Sequence, residues 1–65
     1  MEMILINEIY GSKIIVRKDN IGEVYYSDLR KCRSVSFIKR NGFDVEISLE
    51  EFNRLSKILT GDQNE

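Results

Sequence analysis

Phe43-Asp44-Val45-Glu46-Ile47-Ser48-Leu49-Glu50-Glu51-Phe52-Asn53-Arg54-Leu55-Ser56-Lys57-Ile58-Leu59 carries the clearest structural signal in the chain. Its first six residues alternate apolar and polar, the period of a half-buried strand. Ser48-Leu49-Glu50-Glu51 then has the form of a capping box, in which the Ser48 hydroxyl accepts from the amide of residue 51 and Glu51 reaches back to the Ser48 amide. Ile47 and Phe52 stand where a hydrophobic staple joins the entering chain to the first turn. Beyond them Leu49, Phe52, Leu55 and Leu59, with Ile58 beside them, form an apolar stripe. Glu50 and Arg54 are spaced for an i, i+4 ion pair on the outer face, and Gly61 supplies the stop. A strand therefore turns directly into an amphipathic helix.

Upstream of this stretch, Asn41-Gly42 is the strongest hairpin signal in the chain. A two-residue loop pairs Phe37 with Glu46 and Val35 with Ser48, which mixes apolar and polar side chains on one face. A three-residue loop Arg40-Asn41-Gly42, with Gly42 left-handed, pairs Lys39 with Phe43, Phe37 with Val45 and Val35 with Ile47. The second register is expected. Ser34 to Arg40 is thus read as the strand before it.

Nearer the start, Met3 to Ile9, Lys13 to Lys18 and Glu23 to Ser27 carry the β-branched and aromatic content of three more strands, read as a meander. Tyr10-Gly11-Ser12 and Asp19-Asn20-Ile21-Gly22 break them. Met3 to Ile9 is apolar on both faces, as in a central or partner-covered strand. Ser27 to Cys32 reads as a connecting turn or short 3₁₀ segment, capped by Ser27, with Leu29 and Cys32 able to point inward. The expected fold is α+β: an antiparallel β-sheet of four to five strands followed by one C-terminal α-helix packed on one face. Residues 1–61 form one domain in this reading, and 62–65 a frayed acidic tail.

Length and composition bound what such a domain can do. A chain of 65 residues buries only about 60% of its unfolded surface, so disulfides, metals or self-association often assist. One cysteine, Cys32, excludes an internal disulfide, and with no His it cannot complete the usual zinc set. A homodimer is the remaining device. The 42% hydrophobic and 32% charged content fits a folded chain rather than a disordered one. No apolar run approaches the ~20 residues of a membrane span. The opening Met1-Glu2-Met3-Ile4-Leu5-Ile6 has neither a basic n-region nor a small-residue cleavage site, so a cytoplasmic protein is expected.

Catalysis finds little support. Without His neither a Ser-His-Asp nor a Cys-His arrangement can be built, and there is no glycine-rich phosphate loop. Asp44 with Glu46, and Glu50 with Glu51, are read as a solvated strand edge and a helix first turn, where the dipole favours acids. Cys32, among Arg30, Lys31 and Arg33, has the surroundings of a low-pKa thiol, but a lone Cys is more often a small buried hydrophobe. No enzyme activity, cofactor or metal is expected.

Charge is unevenly placed. Arg30, Lys31, Arg33, Lys39 and Arg40 fall in eleven residues without an acid, whereas Asp44 to Glu51 holds four acids and no cation. Tyr25, Tyr26 and Phe37 near these cations would suit base stacking and phosphate contact on a single strand. The plainer alternative is a solvated face whose cations pair with acids on neighbouring strands while a tyrosine packs inward. The net charge of −1 favours the plainer one. Surplus apolar surface is a second signal: Ile4, Ile6, Ile15 and Ile38 fall opposite the presumed core, and a curled sheet, a homodimer or a partner protein has to cover them.

Val45 to Leu59 also resembles the strand-to-helix end of the positive-cofactor-4 (YdbC-like) family of single-stranded-DNA-binding coactivators. That resemblance implies a curved antiparallel sheet that binds single strands, with helices that build a dimer. Only Lys39-Arg40-Asn41-Gly42 stands where the family carries a lysine- and glycine-rich run, and the chain has no Trp. The stretch is equally similar to the hairpin-then-helix endings of other small bacterial and phage regulators, and small size with Ile/Lys/Asn-rich usage suits such an origin. The leading expectation is a regulatory or inhibitory adaptor that binds a protein partner through a sheet face or edge. A nucleic-acid-binding domain using the 30–40 segment is the alternative.

Overall fold

The computed structural model describes residues 2–40 and 42–61. Five strands and one helix follow in order: β1 (Met3–Asn7), β2 (Lys13–Arg17), β3 (Ile21–Ser27), β4 (Cys32–Phe37), β5 (Asp44–Ile47) and α1 (Leu49–Thr60), with a 3₁₀ turn at Lys18–Asn20. The class is α+β with antiparallel pairing throughout. The expected single sheet is instead two, β1-β2 and β3-β4-β5. The reason lies at Asn20. Its carbonyl accepts from the Ile38 amide at 2.8 Å and its side-chain oxygen from the Lys39 amide at 3.0 Å, so the chain leaving β2 is handed to the end of β4. β3 then begins at Ile21, two residues earlier than expected, with a bulge between Ile21 and Glu23.

The β1-β2 hairpin turns through Tyr10-Gly11-Ser12, where the Glu8 amide donates to the Ser12 carbonyl and Gly11 takes a φ of 108°. Ile4 and Ile6 are buried, while Met3 and Leu5, which alternate with them, are exposed. β1 therefore alternates, and it pairs with one strand rather than lying centrally in a sheet. This corrects the placing of Ile4 and Ile6 on a surplus face: they belong to the core, and Ile15 and Ile38 alone of the four remain outside it. Beyond β1, the Ile9 amide donates to the Glu46 carbonyl at 2.9 Å, which ties the hairpin to the edge of β5. Ile4 and Ile6 pack with Val35, Val45, Ile47 and Leu55 in one cluster shared by both sheets.

The β4-β5 register differs from both hairpin registers weighed above. Val35 pairs with Val45, Ser36 with Asp44 and Arg33 with Ile47, two residues from the three-residue-loop register. A shift of two keeps every side chain on its face, so the apolar matching survives while the loop lengthens. Phe37 pairs with Ile21 on β3, and Ile38 and Lys39 bond Asn20, which withdraws all three from β5. Asn41 lies outside the described residues. Gly42 does take a left-handed φ of 82°, and the Phe43 amide donates to the Arg40 carbonyl.

The helix starts as read. The Ser48 hydroxyl accepts from the Glu51 amide at 3.1 Å, and Gly61 closes the C-terminus at φ 71°. Leu55 is buried, with Phe52, Ile58 and Leu59 half-buried around it. Leu49 departs from the stripe and is 52% exposed. At about 100° per residue it lies about 120° around the helix from Leu55, whereas residues 51, 52, 58 and 59 fall within about 60°. Glu51 takes a place in that buried arc. Its carboxylate accepts from the Asn7 amide at 2.9 Å and from Arg54, so it does not complete the capping box. The expected Glu50–Arg54 pair is replaced by Glu51–Arg54 at i, i+3. Residues 62–65, read above as a frayed tail, lie outside the described residues.

Candidate interaction surfaces

The five cations of the 30–40 segment do not gather on one face. Arg30 and Lys31 sit in the β3-β4 turn, where Ser27 caps the Arg30 amide at 3.1 Å and Lys31 adopts a left-handed φ of 57°. Leu29 in the same turn is 93% exposed, contrary to its expected inward position, because the four-residue turn projects beyond the sheet. Arg33 lies on the core-side face of β4, in register with Tyr26 and Ile47. Its guanidinium stands 5.4 Å from the Tyr26 ring centroid. Lys39 and Arg40 follow the far end of β4, past Phe37, which itself lies about 13 Å from Arg33 at about 3.3 Å per strand residue. Phe37 is 5% exposed and belongs to the core, so it offers no stacking surface. Phe43, which the sequence reading passed over, is exposed beside Arg40 at 5.2 Å and packs its ring 6.0 Å from Phe37.

The opposite face of the three-stranded sheet is polar and acidic. Tyr25, Ser34 and Glu46 align across it, as do Glu23, Ser36 and Asp44. The Tyr25 hydroxyl donates to the Asp44 carboxylate and accepts from Arg30 Nη2 at 3.1 Å. The hydrogen bond to Asp44 raises the Tyr25 pKa, with desolvation and the Asp44 charge acting in the same direction and Arg30 opposing. Arg30 thus reaches the Asp44 carboxylate through the tyrosine hydroxyl rather than by a direct ion pair. Cys32 is half-buried, with its sulfur 3.8 Å from the Ser34 hydroxyl.

A different surface appears on the hairpin. Met3, Leu5 and Ile15 are all exposed on its outer face, with Leu5 directly opposite Ile15 and Met3 opposite Arg17. The backbone shows which edges are open. The Lys18 amide donates to the Glu2 carbonyl, so even-numbered residues of β1 and β2 bond each other and odd-numbered ones direct their amides and carbonyls outward. On β1 two of the outward groups are taken, the Leu5 carbonyl by Arg54 at 2.6 Å and the Asn7 amide by Glu51, and beyond the strand the Ile9 amide donates to Glu46. On β2 the outward groups of Lys13, Ile15 and Arg17 face no strand among the described residues.

Among the described residues there is no group of three or more His, Cys, Asp or Glu side chains placed to hold a metal ion, and no helix is long and apolar enough to cross a membrane. No family model, curated protein or solved structure matches the chain.

Proposed function

We propose that the chain is a small non-catalytic adaptor, regulatory or inhibitory, that binds a protein partner through the β1-β2 hairpin. The observation that carries this reading is the exposed row of Met3, Leu5 and Ile15 beside a strand edge that pairs with no strand among the described residues. Apolar side chains adjoining open backbone donors and acceptors are the ingredients of strand addition and of aliphatic docking. Its test is capture from a nuclease-treated lysate by wild-type protein and by Ile15→Asp. A protein retained by the first and lost by the second supports the reading, and identical retention by both removes it.

A nucleic-acid role is the second reading, favoured by the Arg33–Tyr26 and Arg40–Phe43 stacks. They stand at opposite ends of the sheet, and the coactivator-like alternative would need a single strand to span both. Titration of labelled single-stranded and duplex oligonucleotides at two salt concentrations decides it, since phosphate contacts weaken steeply with salt. Light scattering on the free protein addresses the homodimer.

A further inference from the structure

We infer that the free edge of β2 takes an extended acidic peptide as an added strand, with the pattern acid, apolar, apolar, apolar, acid. The inference rests on the protein-docking reading and gives the partner its chemistry. Lys13, Ile15 and Arg17 direct their open backbone groups to the free edge and their side chains to the outer face. An incoming strand bonded to that edge sets one residue opposite each of them. Carboxylates opposite Lys13 and Arg17 and an aliphatic residue opposite Ile15 match all three. The two intervening residues point the other way, to the side of Ile14 and Val16, along a groove of about 260 Å³ that runs past the β2 edge from the outer-face Met3, Ile15 and Arg17 to Phe37, Phe43 and Arg40. That lining includes two cations, Arg17 and Arg40, and no acid. Arg17 also meets Asp19 at 3.4 Å, an exposed pair that a partner carboxylate can replace.

The same geometry disfavours a second copy of this chain. Antiparallel pairing of two β2 edges about Ile15 sets Lys13 opposite Arg17 of the other copy twice over, and like charges directly opposite destabilise a ladder.

The probe is a labelled, end-capped peptide Ser-Glu-Val-Ile-Val-Glu-Ser, followed by fluorescence anisotropy at two salt concentrations. Wild-type protein should bind it and should bind the version with lysines for glutamates at least about tenfold more weakly. Lys13→Glu with Arg17→Glu should reverse that preference. Ile15→Pro removes one outward amide without touching a β1-β2 hydrogen bond, and it should weaken binding by about tenfold. Circular dichroism confirms that each variant is folded, and the charge reversal carries the test should the proline variant not fold. Absence of peptide binding, or binding indifferent to charge reversal, overturns the inference. If the lysate partner is still lost with Ile15→Asp in that case, the docking reading stands with a different partner chemistry; if no protein is retained and oligonucleotides bind, both fall. A dimer in light scattering that Ile15→Asp dissolves also overturns it, by making a second copy the occupant.

Discussion

The Glu51 carboxylate on the helix accepts the backbone amide of Asn7 on β1, 44 residues away in sequence. Arg54 binds the same carboxylate and also donates to the Leu5 carbonyl. One ion pair thus occupies two outward backbone groups of β1 and fixes the hairpin to the helix. Without it these groups would lose their partners, and the face that carries Met3, Leu5 and Ile15 would lose its anchor.

Glu51→Ala should destabilise the domain by roughly 2 kcal/mol, since the hydrogen bonds of one carboxylate to Arg54 and to the half-buried Asn7 amide are lost together. Chemical denaturation measures it, and an effect below about 0.5 kcal/mol would remove this anchor from the account. Hydrogen exchange at Asn7 should accelerate in the variant more than at Val35.

The pH dependence follows from the same group. Arg54, acting chiefly through its hydrogen bonds and aided by those from Asn7, lowers the Glu51 pKa from its ordinary 4.5, against the opposing effect of burial. A folded-state pKa below the unfolded one contributes stability that is fully present above the ordinary value and lost as pH falls through the lowered one. Wild-type stability should therefore drop on acidification below about 4.5, and Glu51→Gln should flatten that part of the profile. Equal acid slopes in both proteins would contradict it.

Tyr25 should titrate above the ordinary tyrosine value of 10.0, because its hydroxyl donates to Asp44. Asp44→Asn should bring it down by removing both the acceptor charge and the repulsion of the phenolate. Ultraviolet absorbance titration of the two proteins, each compared with its Tyr25→Phe form, reads the difference.

Gly22 sits in the β3 bulge, where an added Cβ would meet Ser36 Oγ at 3.0 Å. That hydroxyl accepts the Glu23 amide at 3.0 Å, so it can yield only by giving up the bond. Gly22→Ala should cost about 1 kcal/mol. Combined with Ser36→Ala, which opens the space, the loss should be smaller than the sum of the two single changes in a double-mutant cycle.

Much of the local structure is legible in the sequence. Ser48, Leu55 and Gly61 set the helix limits and its buried line, Gly42 its left-handed turn, and Ser27 its cap, because each signal acts within a few residues. The places where reading failed share a cause. Glu51 looked like a capping residue because the spacing Ser48-x-x-Glu51 fits one, while its true partner Asn7 is distant in the chain. Its position in one helical line with Leu55 was the available clue. Cations adjacent in sequence were read as one surface, but a strand carries neighbours to opposite faces and separates its ends.

An α+β chain of four to five strands, a capped helix and the alternation that keeps Val35, Val45 and Ile47 on one face can all be read from the residues alone, since period and capping are local properties. The division of the strands into two sheets, the burial of Ile4 and Ile6 and the edge of β2 left open among the described residues arise from the folded arrangement. Those outcomes depend on Asn20 meeting Ile38, Ile9 meeting Glu46 and Asn7 meeting Glu51. Each is a hydrogen bond across a long loop, whose strength depends on where the folded backbone brings its ends and not on the residues beside it in the chain.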